Sequence, residues 1–314
     1  MIYDCAIVGG GAAGLNAALV LGRARKNVAL LDNNQPRNAV THASHGYLTR
    51  DGVTPAEFRR IAYEEVLRYP SVHHLQTEVV SITKLNSGFE VHDASGGRIQ
   101  ARKLILATGL KEVFPEIDGL HSLYGKSLFN CPFCDGWELQ DQPLVVVSED
   151  PAVFHTAKLL LNWTRDLVVC TNGQSPLSND QKEQLLSKGI VVMEQPVAAF
   201  IGENGQLTHV RFADGTTIAR TGGFIAPKFI HSAPFIESLD CEKTPLGGIK
   251  TDQLGKTSIP GLFAAGDTSY VAPSQLIYAA ASGSKAAMSV TKELTEEDFH
   301  DMNQTEFGRD LKWN

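Results

Sequence analysis

Residues 130–138 read Asn-Cys-Pro-Phe-Cys-Asp-Gly-Trp-Glu, which puts Cys131 and Cys134 two residues apart in a chain with five cysteines. Two thiols at that spacing can ligate a metal, pack as an inert pair, or make and break a disulfide. A structural zinc site needs four ligands. No second Cys-x-x-Cys and no His-x-x-x-His accompanies the pair, and His121 stands alone ten residues upstream of Cys131, so no metal site is expected. An inert pair stays open, because a thiol packs as a small hydrophobe. The local chemistry points to electron transfer. If Cys134 opens a helical turn, the helix dipole lowers its pKa below the value of about 8.5 for an ordinary thiol. Asp135 follows directly, and a carboxyl beside a dithiol can give and take the proton that thiol-disulfide exchange moves.

A redox dithiol needs an electron partner and elements to hold both. The opening stretch CAIVGGGAAGLNAALVLGRARKNVALLD reads as an apolar strand, a glycine turn, a helix of small and aliphatic residues, and a second strand ending in Asp32. Gly9, Gly11 and Gly14 form G-x-G-x-x-G between strand and helix, where absent side chains let backbone approach a pyrophosphate at the helix N-terminus. Asp32, 18 residues beyond Gly14, suits a ribose hydroxyl. The glycines alone also fit a tight turn with no ligand; strand, helix and terminal acid together point to dinucleotide binding.

Further on, RKLILATG (102–109) reads as a buried strand and a small-residue turn, and TSIPGLFAAGD (257–267) as another strand running into Gly266 and Asp267. Asp267 also fits a plain helix cap. A long helix with small residues on one face follows over 273–294. Between these lies a segment with its own strands, PLVVVS and DLVVC, and a helix at 152–163, which reads as a second α/β domain inserted into the first. The expected fold class is α/β with two Rossmann-like domains. The first is split over residues 1–114 and 233–295, the insert covers 115–232, and 296–314 form a polar tail carrying Phe299, Phe307 and Trp313.

A length of 314 residues suits two domains of ordinary size. The formal charge is -7 with Lys and Arg scattered, which removes the basic stripe that nucleic-acid binding needs. No stretch of apolar residues is long enough to span a bilayer, and no signal peptide is visible, so the cytoplasm is the expected setting. Thiols stay reduced there, and Cys5, Cys170 and Cys241 form no disulfide framework with the pair.

GGGAAG, ATG at 107–109, CPFCDG with Asp135, and IPGLFAAGD followed by Gln275, taken in order, resemble the low-molecular-weight thioredoxin reductase family of flavoproteins, to about residue 294. The resemblance implies FAD on the first domain, with Gly9, Gly11, Ala12, Ala13, Gly14, Asp32 and Asn33 around its ADP half. Val79, Thr108, Gly109 and Gly266 would also line the cofactor, Asp267 would contact the ribitol, and Gln275 and Leu276 would lie at the isoalloxazine. It further implies that Cys134 faces flavin C4a, that Cys131 exchanges with a substrate disulfide, and that Asp135 is the acid-base group. The family is a homodimer whose domains rotate between two states. HGYLTRDG (45–52) and CPFCDGWE look closer to a side branch that includes dithiol oxidases, although those tend to carry His where Asp135 stands here.

Three departures stand out. In the family the second domain binds NADPH through a glycine turn. Aligned on CDG, that turn falls on Ser148, Glu149 and Asp150, which sets two carboxylates where a pyrophosphate meets bare N–H groups. The basic cluster that grips the 2′-phosphate falls on Thr171, Asn172 and Gly173, and the usual GxxPN is replaced by APKFIHSAP (226–234). The expectation is an FAD-dependent thiol-disulfide oxidoreductase that serves a thioredoxin-like protein or a small disulfide and does not use NADPH as donor. A ferredoxin or a second flavin could supply electrons instead. Two alternatives remain: a dithiol oxidase that makes hydrogen peroxide from dioxygen, and a non-catalytic flavin redox sensor. Trp313 could stack on an exposed isoalloxazine or on a partner subunit.

Overall fold

The computed structural model describes residues 2–272 and 274–306, with backbone alone for the last six of these. Pro273, Phe307 and Trp313 lie outside the described residues, and with them the expected stacking of the tail.

The chain begins with β1 (Ile2–Val8), α1 (Ala12–Arg23) and β2 (Val28–Asp32), and β1 and β2 pair in parallel with Val8 opposite Leu31. Helix α2 (Pro55–Val66) leads to β3 (Val72–Gln76), and a meander of β4 (Val79–Lys84), β5 (Phe89–Asp93) and β6 (Arg98–Leu106) follows. The sheet order is β3-β2-β1-β6-β5-β4. The parallel strands are buried on both faces, which is why they read as unbroken apolar runs rather than alternating ones. Side chains of Cys5, Ile7, Leu30 and Ile105 fill one face, and those of Ala6, Val8, Leu31 and Leu106 fill the other.

From β7 (Leu110–Val113) the chain enters the insert: α3 (Leu120–Leu123), β8 (Leu128–Phe129), α4 (Pro132–Asp135), β9 (Leu144–Val147), α5 (Val153–Leu160), β10 (Leu167–Cys170), α6 (Asn179–Leu186) and β11 (Val191–Met193). An antiparallel sheet of β12 (Val197–Glu203), β13 (Gln206–Phe212) and β14 (Thr217–Ala219) precedes β15 (Gly222–Ile225). The parallel sheet runs β11-β10-β9-β15-β8. Its alternate residues separate two cores. Val145, Val147, Cys170 and Ile225 pack on Phe200, Val210 and Phe212 of the antiparallel sheet, while Leu144, Val146, Val169 and Phe224 pack on Phe154, Ala157 and Leu160 of α5. Each fully buried aliphatic side chain contributes about 1.5–3 kcal/mol.

The chain returns through β16 (Lys228–His231) to β17 (Leu262–Ala264), which pairs with β6 in parallel, and ends on α7 (Leu276–Glu306). One unit comprises the residues to Arg37, Ala56–Lys111 and those from Ile230 onward; the other comprises Asn38–Pro55 and Glu112–Phe229. Thus the stretch from Asn38 to Pro55, read from sequence as part of the first domain, clusters with the insert.

The expected tail from residue 296 is corrected as far as 306, because α7 continues through it. Leu294 is fully buried, and ion pairs hold the helix on either side of it: Lys103 Nζ to Glu293 at 3.0 Å, Arg102 to Glu297 at 3.0 Å and to Asp298 at 2.7 Å. Polar composition there reflects a face held by long-range charge pairs, which periodicity does not reveal. Among the described residues no helix is long and apolar enough to cross a membrane.

Candidate functional site

The dithiol sits where β8 ends. Cys131 is extended (φ -121°, ψ 108°) at the cap of α4, and Pro132 supplies a preset φ at the first helical position. The Cys131 carbonyl accepts the N–H groups of Cys134 at 3.1 Å and Asp135 at 3.2 Å. Cys134 therefore lies in a helical turn, as the sequence suggests, but α4 is a single turn and offers only a small part of a long helix's dipole. Gly136 closes the turn. A Cβ there would stand 2.5 Å from the Pro132 carbonyl oxygen and 2.7 Å from the Trp163 ring, so only glycine lets Trp163 lie under the turn. Trp163 meets Phe133 edge-on at 5.9 Å, a support that sequence reading missed.

Asp135 stands out among the carboxyl groups near the dithiol. Burial pushes its carboxyl up to about 7, with the charges of Cys131 and Glu138 adding to the rise and that of His45 opposing it. A carboxyl that titrates near neutrality can act as acid and as base in one cycle.

In the other unit the expected cofactor residues gather at the carboxyl ends of the parallel strands, where ligands of such sheets bind. Gly9 has φ 111°, and a Cβ on it would sit 2.2 Å from the Ala107 carbonyl oxygen, so the β1–α1 turn and the 107–109 turn touch. A Cβ on Gly14 would stand 1.8 Å from the Gly9 carbonyl oxygen, whereas one on Gly11 would meet nothing within 4 Å. Gly11 caps α1 with no side-chain bond, and Ala12 and Ala13 follow it, so the helix N-terminus opens onto uncrowded space. That cradle fits a pyrophosphate.

Gly266 comes within 2.9 Å of the Ala13 methyl by the same construction, and its N–H donates to Ser282 Oγ at 2.7 Å. Thr268 Oγ1 accepts the Gly109 N–H at 2.8 Å and lies 3.4 Å from Thr108 Oγ1. Gln275 precedes α7, its carbonyl accepting the Ala279 N–H, and Leu276 is the first helical residue. Val79 is packed in the core, which leaves it backbone atoms alone to offer, and Asn33 is exposed, its Oδ1 accepting the Gln35 N–H.

Asp32 and Asp267 are held by partners that the sequence did not announce. Asp32 Oδ1 accepts the Gly10 N–H at 2.9 Å, and Oδ2 accepts from Arg59 and from the Tyr63 hydroxyl, both at 2.8 Å. Burial acts to raise the Asp32 pKa, but the Arg59 guanidinium with Tyr63 and Gly10 holds it below the usual carboxylate range. The Arg59-x-x-x-Tyr63 spacing on α2 is the signal that could have been read, since residues four apart share a helix face. Asp267 Oδ2 accepts from Arg37 at 2.8 Å and from Ser274 Oγ at 2.6 Å. It is not a bare cap, and nothing periodic marks Arg37.

The β9–α5 turn of the insert carries the anticipated carboxylates. The Asp150 side chain accepts the Ala152 N–H at 2.7 Å, and the Asp150 N–H donates to Ser148 Oγ at 3.2 Å. Asn172 Nδ2 donates to Glu149 Oε1 at 2.8 Å, while Asn172 Oδ1 accepts the Val197 N–H at 3.0 Å. At the start of α5 the Ala152 N–H is thus taken by the Asp150 carboxylate, and the Glu149 carboxylate is held by Asn172.

Comparison with known proteins matches residues 3–283 to the pyridine nucleotide-disulphide oxidoreductase family. A thioredoxin reductase of Aspergillus oryzae, aclD, is 32% identical over 93% of this chain and 96% of its own. The solved structure of TrxB from Bacillus anthracis is 47% identical, covers 94% of this chain and 99% of that one, and superposes with a TM-score of 0.91. An oxidoreductase from Agrobacterium tumefaciens is 35% identical over 94% of this chain and 99% of that one, with a TM-score of 0.88.

Proposed function

The chain belongs to the pyridine nucleotide-disulphide oxidoreductase family and is an FAD-dependent disulfide oxidoreductase of the thioredoxin reductase kind; on that premise we propose that it serves a thioredoxin-like protein or a small disulfide through Cys131 and Cys134 without drawing on NADPH. FAD bound at the first unit supplies two-electron exchange with the dithiol. The glycine cradle at Gly9, Gly11 and Gly14 fits its pyrophosphate, and Asp32 and Asp267 are the groups assigned to its ribose and ribitol hydroxyls.

The protein's own residues carry the exchange. The Cys131 thiolate attacks one sulfur of the substrate disulfide, and that disulfide breaks as the mixed disulfide forms. Asp135 gives its proton to the departing thiolate. Asp135, now a carboxylate, takes the Cys134 proton; the Cys134 thiolate attacks the Cys131 sulfur, the mixed disulfide breaks, and Asp135 passes that proton to the departing second substrate thiolate, which leaves a Cys131–Cys134 disulfide. Two electrons and two protons restore the pair. An acid with a pKa of about 7 matches this proton traffic at neutral pH, because both of its forms are populated.

One observation carries the claim about the donor: the turn after β9 holds Glu149 and Asp150 in place of glycines, with Asn172 bonded to Glu149. A pyrophosphate there meets like charge. A reduced ferredoxin or a second flavin replaces NADPH in this reading. The same turn also suits the opposite direction, in which a substrate dithiol becomes a disulfide and dioxygen becomes hydrogen peroxide, because that direction needs no nucleotide. The reading takes the working form to be a cytosolic homodimer, which sedimentation and cell fractionation check. Anaerobic bleaching of the flavin by NADPH, NADH, reduced ferredoxin and dithiols, each in turn, tests the donor. Ferredoxin or dithiols should bleach it quickly and NADPH slowly, and rapid bleaching by NADPH overturns the reading.

A further inference from the structure

The stretch from Asn38 to Pro55 clusters with the dithiol unit, and it is shaped there by its own bonds. Ser44 and Val53 face each other across an antiparallel bridge, with Ser44 N–H to Val53 O at 2.8 Å and Gly52 N–H to Ser44 O at 3.0 Å. Inside the clasp the Gly46 N–H donates to Asp51 Oδ1 at 2.8 Å. His45 is thereby presented between two carboxylates: Nδ1 lies 3.6 Å from Asp51 Oδ1 and Nε2 lies 3.4 Å from Glu138 Oε1. Glu138 comes three residues after Asp135, from the turn that follows α4.

We propose that His45, clamped between Asp51 and Glu138, is a positioning residue for the reaction: its charge sets how readily Asp135 parts with its proton, and so the pH at which the dithiol turns over. The inference rests on the reading of Asp135 as the acid-base group. Among the described residues the charges of Cys131 and Glu138 oppose its ionisation, and His45, when protonated, favours it. Asp51 does not act on Asp135 directly; it holds the imidazole, and its own carboxyl is kept below the usual range chiefly by the Gly46 N–H, with His45 adding to the effect. Since burial already penalises the Asp135 carboxylate, taking a protonated imidazole from beside it moves its titration upward.

The half of the clasp that packs is separable from the half that carries charge, and this separation makes the test. FAD-loaded protein is reduced with dithiothreitol and desalted without oxygen, and its single-turnover exchange with a chromogenic aryl disulfide is followed across pH. The wild-type profile should show a step near pH 7 that Asp135→Asn abolishes. His45→Gln should move that step up by about half a pH unit or more. His45→Lys keeps a cation in reach of both carboxylates without the ring, and should return the step to its wild-type position or below. A step left in place by His45→Gln overturns the proposal, as does one that His45→Lys moves upward together with His45→Gln. A step that survives Asp135→Asn overturns the reading of Asp135, and this proposal with it.

Discussion

Asn172 donates its side-chain amide to Glu149 at 2.8 Å, so the turn after β10 and the turn after β9 are fastened to each other. The two places that would serve the phosphates of a nicotinamide nucleotide are thus not merely missing their usual residues. They are bonded together, and Asn172 also holds the Val197 N–H.

Removing the two carboxylates should therefore reopen the turn in part. We expect Glu149→Gly with Asp150→Gly to speed anaerobic bleaching by NADPH roughly thirtyfold, because relief of about 1 kcal/mol of screened repulsion for each of the two charges amounts to that order. The loss of the Asp150 side-chain bond to the Ala152 N–H costs roughly a few tenths of a kcal/mol of stability, as replacement of a capping residue by glycine does. Stopped-flow absorbance of the flavin reads the rate. No acceleration would sink the charge argument and leave the shape of the turn as the obstacle.

Arg59 and Asp32 form the buried pair of the first unit, with Arg59 also donating to the Gly10 carbonyl and to Asn34 Oδ1. Arg59→Met leaves a carboxylate without its cation, which should cost about 3–5 kcal/mol near neutral pH. The sign follows from the depressed folded-state pKa of Asp32: the stability it contributes is present above the unfolded value of about 3.9 and is lost as pH falls through the folded one. Urea unfolding of the apoprotein should accordingly show a large deficit at pH 7 that narrows towards pH 3, and Asp32→Asn added to Arg59→Met should recover much of it. A deficit that stays constant with pH would mean that the guanidinium acts by packing alone.

Local signals made part of this molecule readable in advance. The β1–α1–β2 unit could be read because a close backbone approach needs glycines at fixed short spacing, and the insert because its strands are apolar on both faces. The last turns of α7 could not, since Glu293, Glu297 and Asp298 are held by Arg102 and Lys103 from a distant strand. The same limit governs the sites. Sequence named Asp32, Asp135 and Asp267, whose types announce chemistry, but not His45 or Arg37, whose contacts are made only by the fold, nor Arg59, whose one signal is its spacing from Tyr63 on α2. Asp150 and Asn172 were legible as departures, and the bonds they make were not.

Asp135 should reveal a cost of function in the stability of the protein. Its carboxyl, raised from 3.8 to about 7 by burial and by the charges of Cys131 and Glu138, favours the neutral form in the folded chain. The folded state therefore binds the proton more tightly than the unfolded state does. Its stabilising effect is complete below the unfolded pKa and is lost as pH rises through the folded one, so stability falls between about pH 4 and pH 7. Asparagine has the same shape and no charge to desolvate. We expect Asp135→Asn to be more stable than the wild type at pH 8, by up to roughly 4 kcal/mol if the whole shift is converted, and nearly equal to it at pH 4. Thiol-disulfide exchange should fall by about a hundredfold or more in the same variant, the usual loss on removing a general acid or base. Urea midpoints at the two pH values, together with single-turnover exchange rates, check both halves. A variant no more stable than the wild type at pH 8 would show that Asp135 is solvated rather than strained, and the account of its raised proton affinity would fail with it.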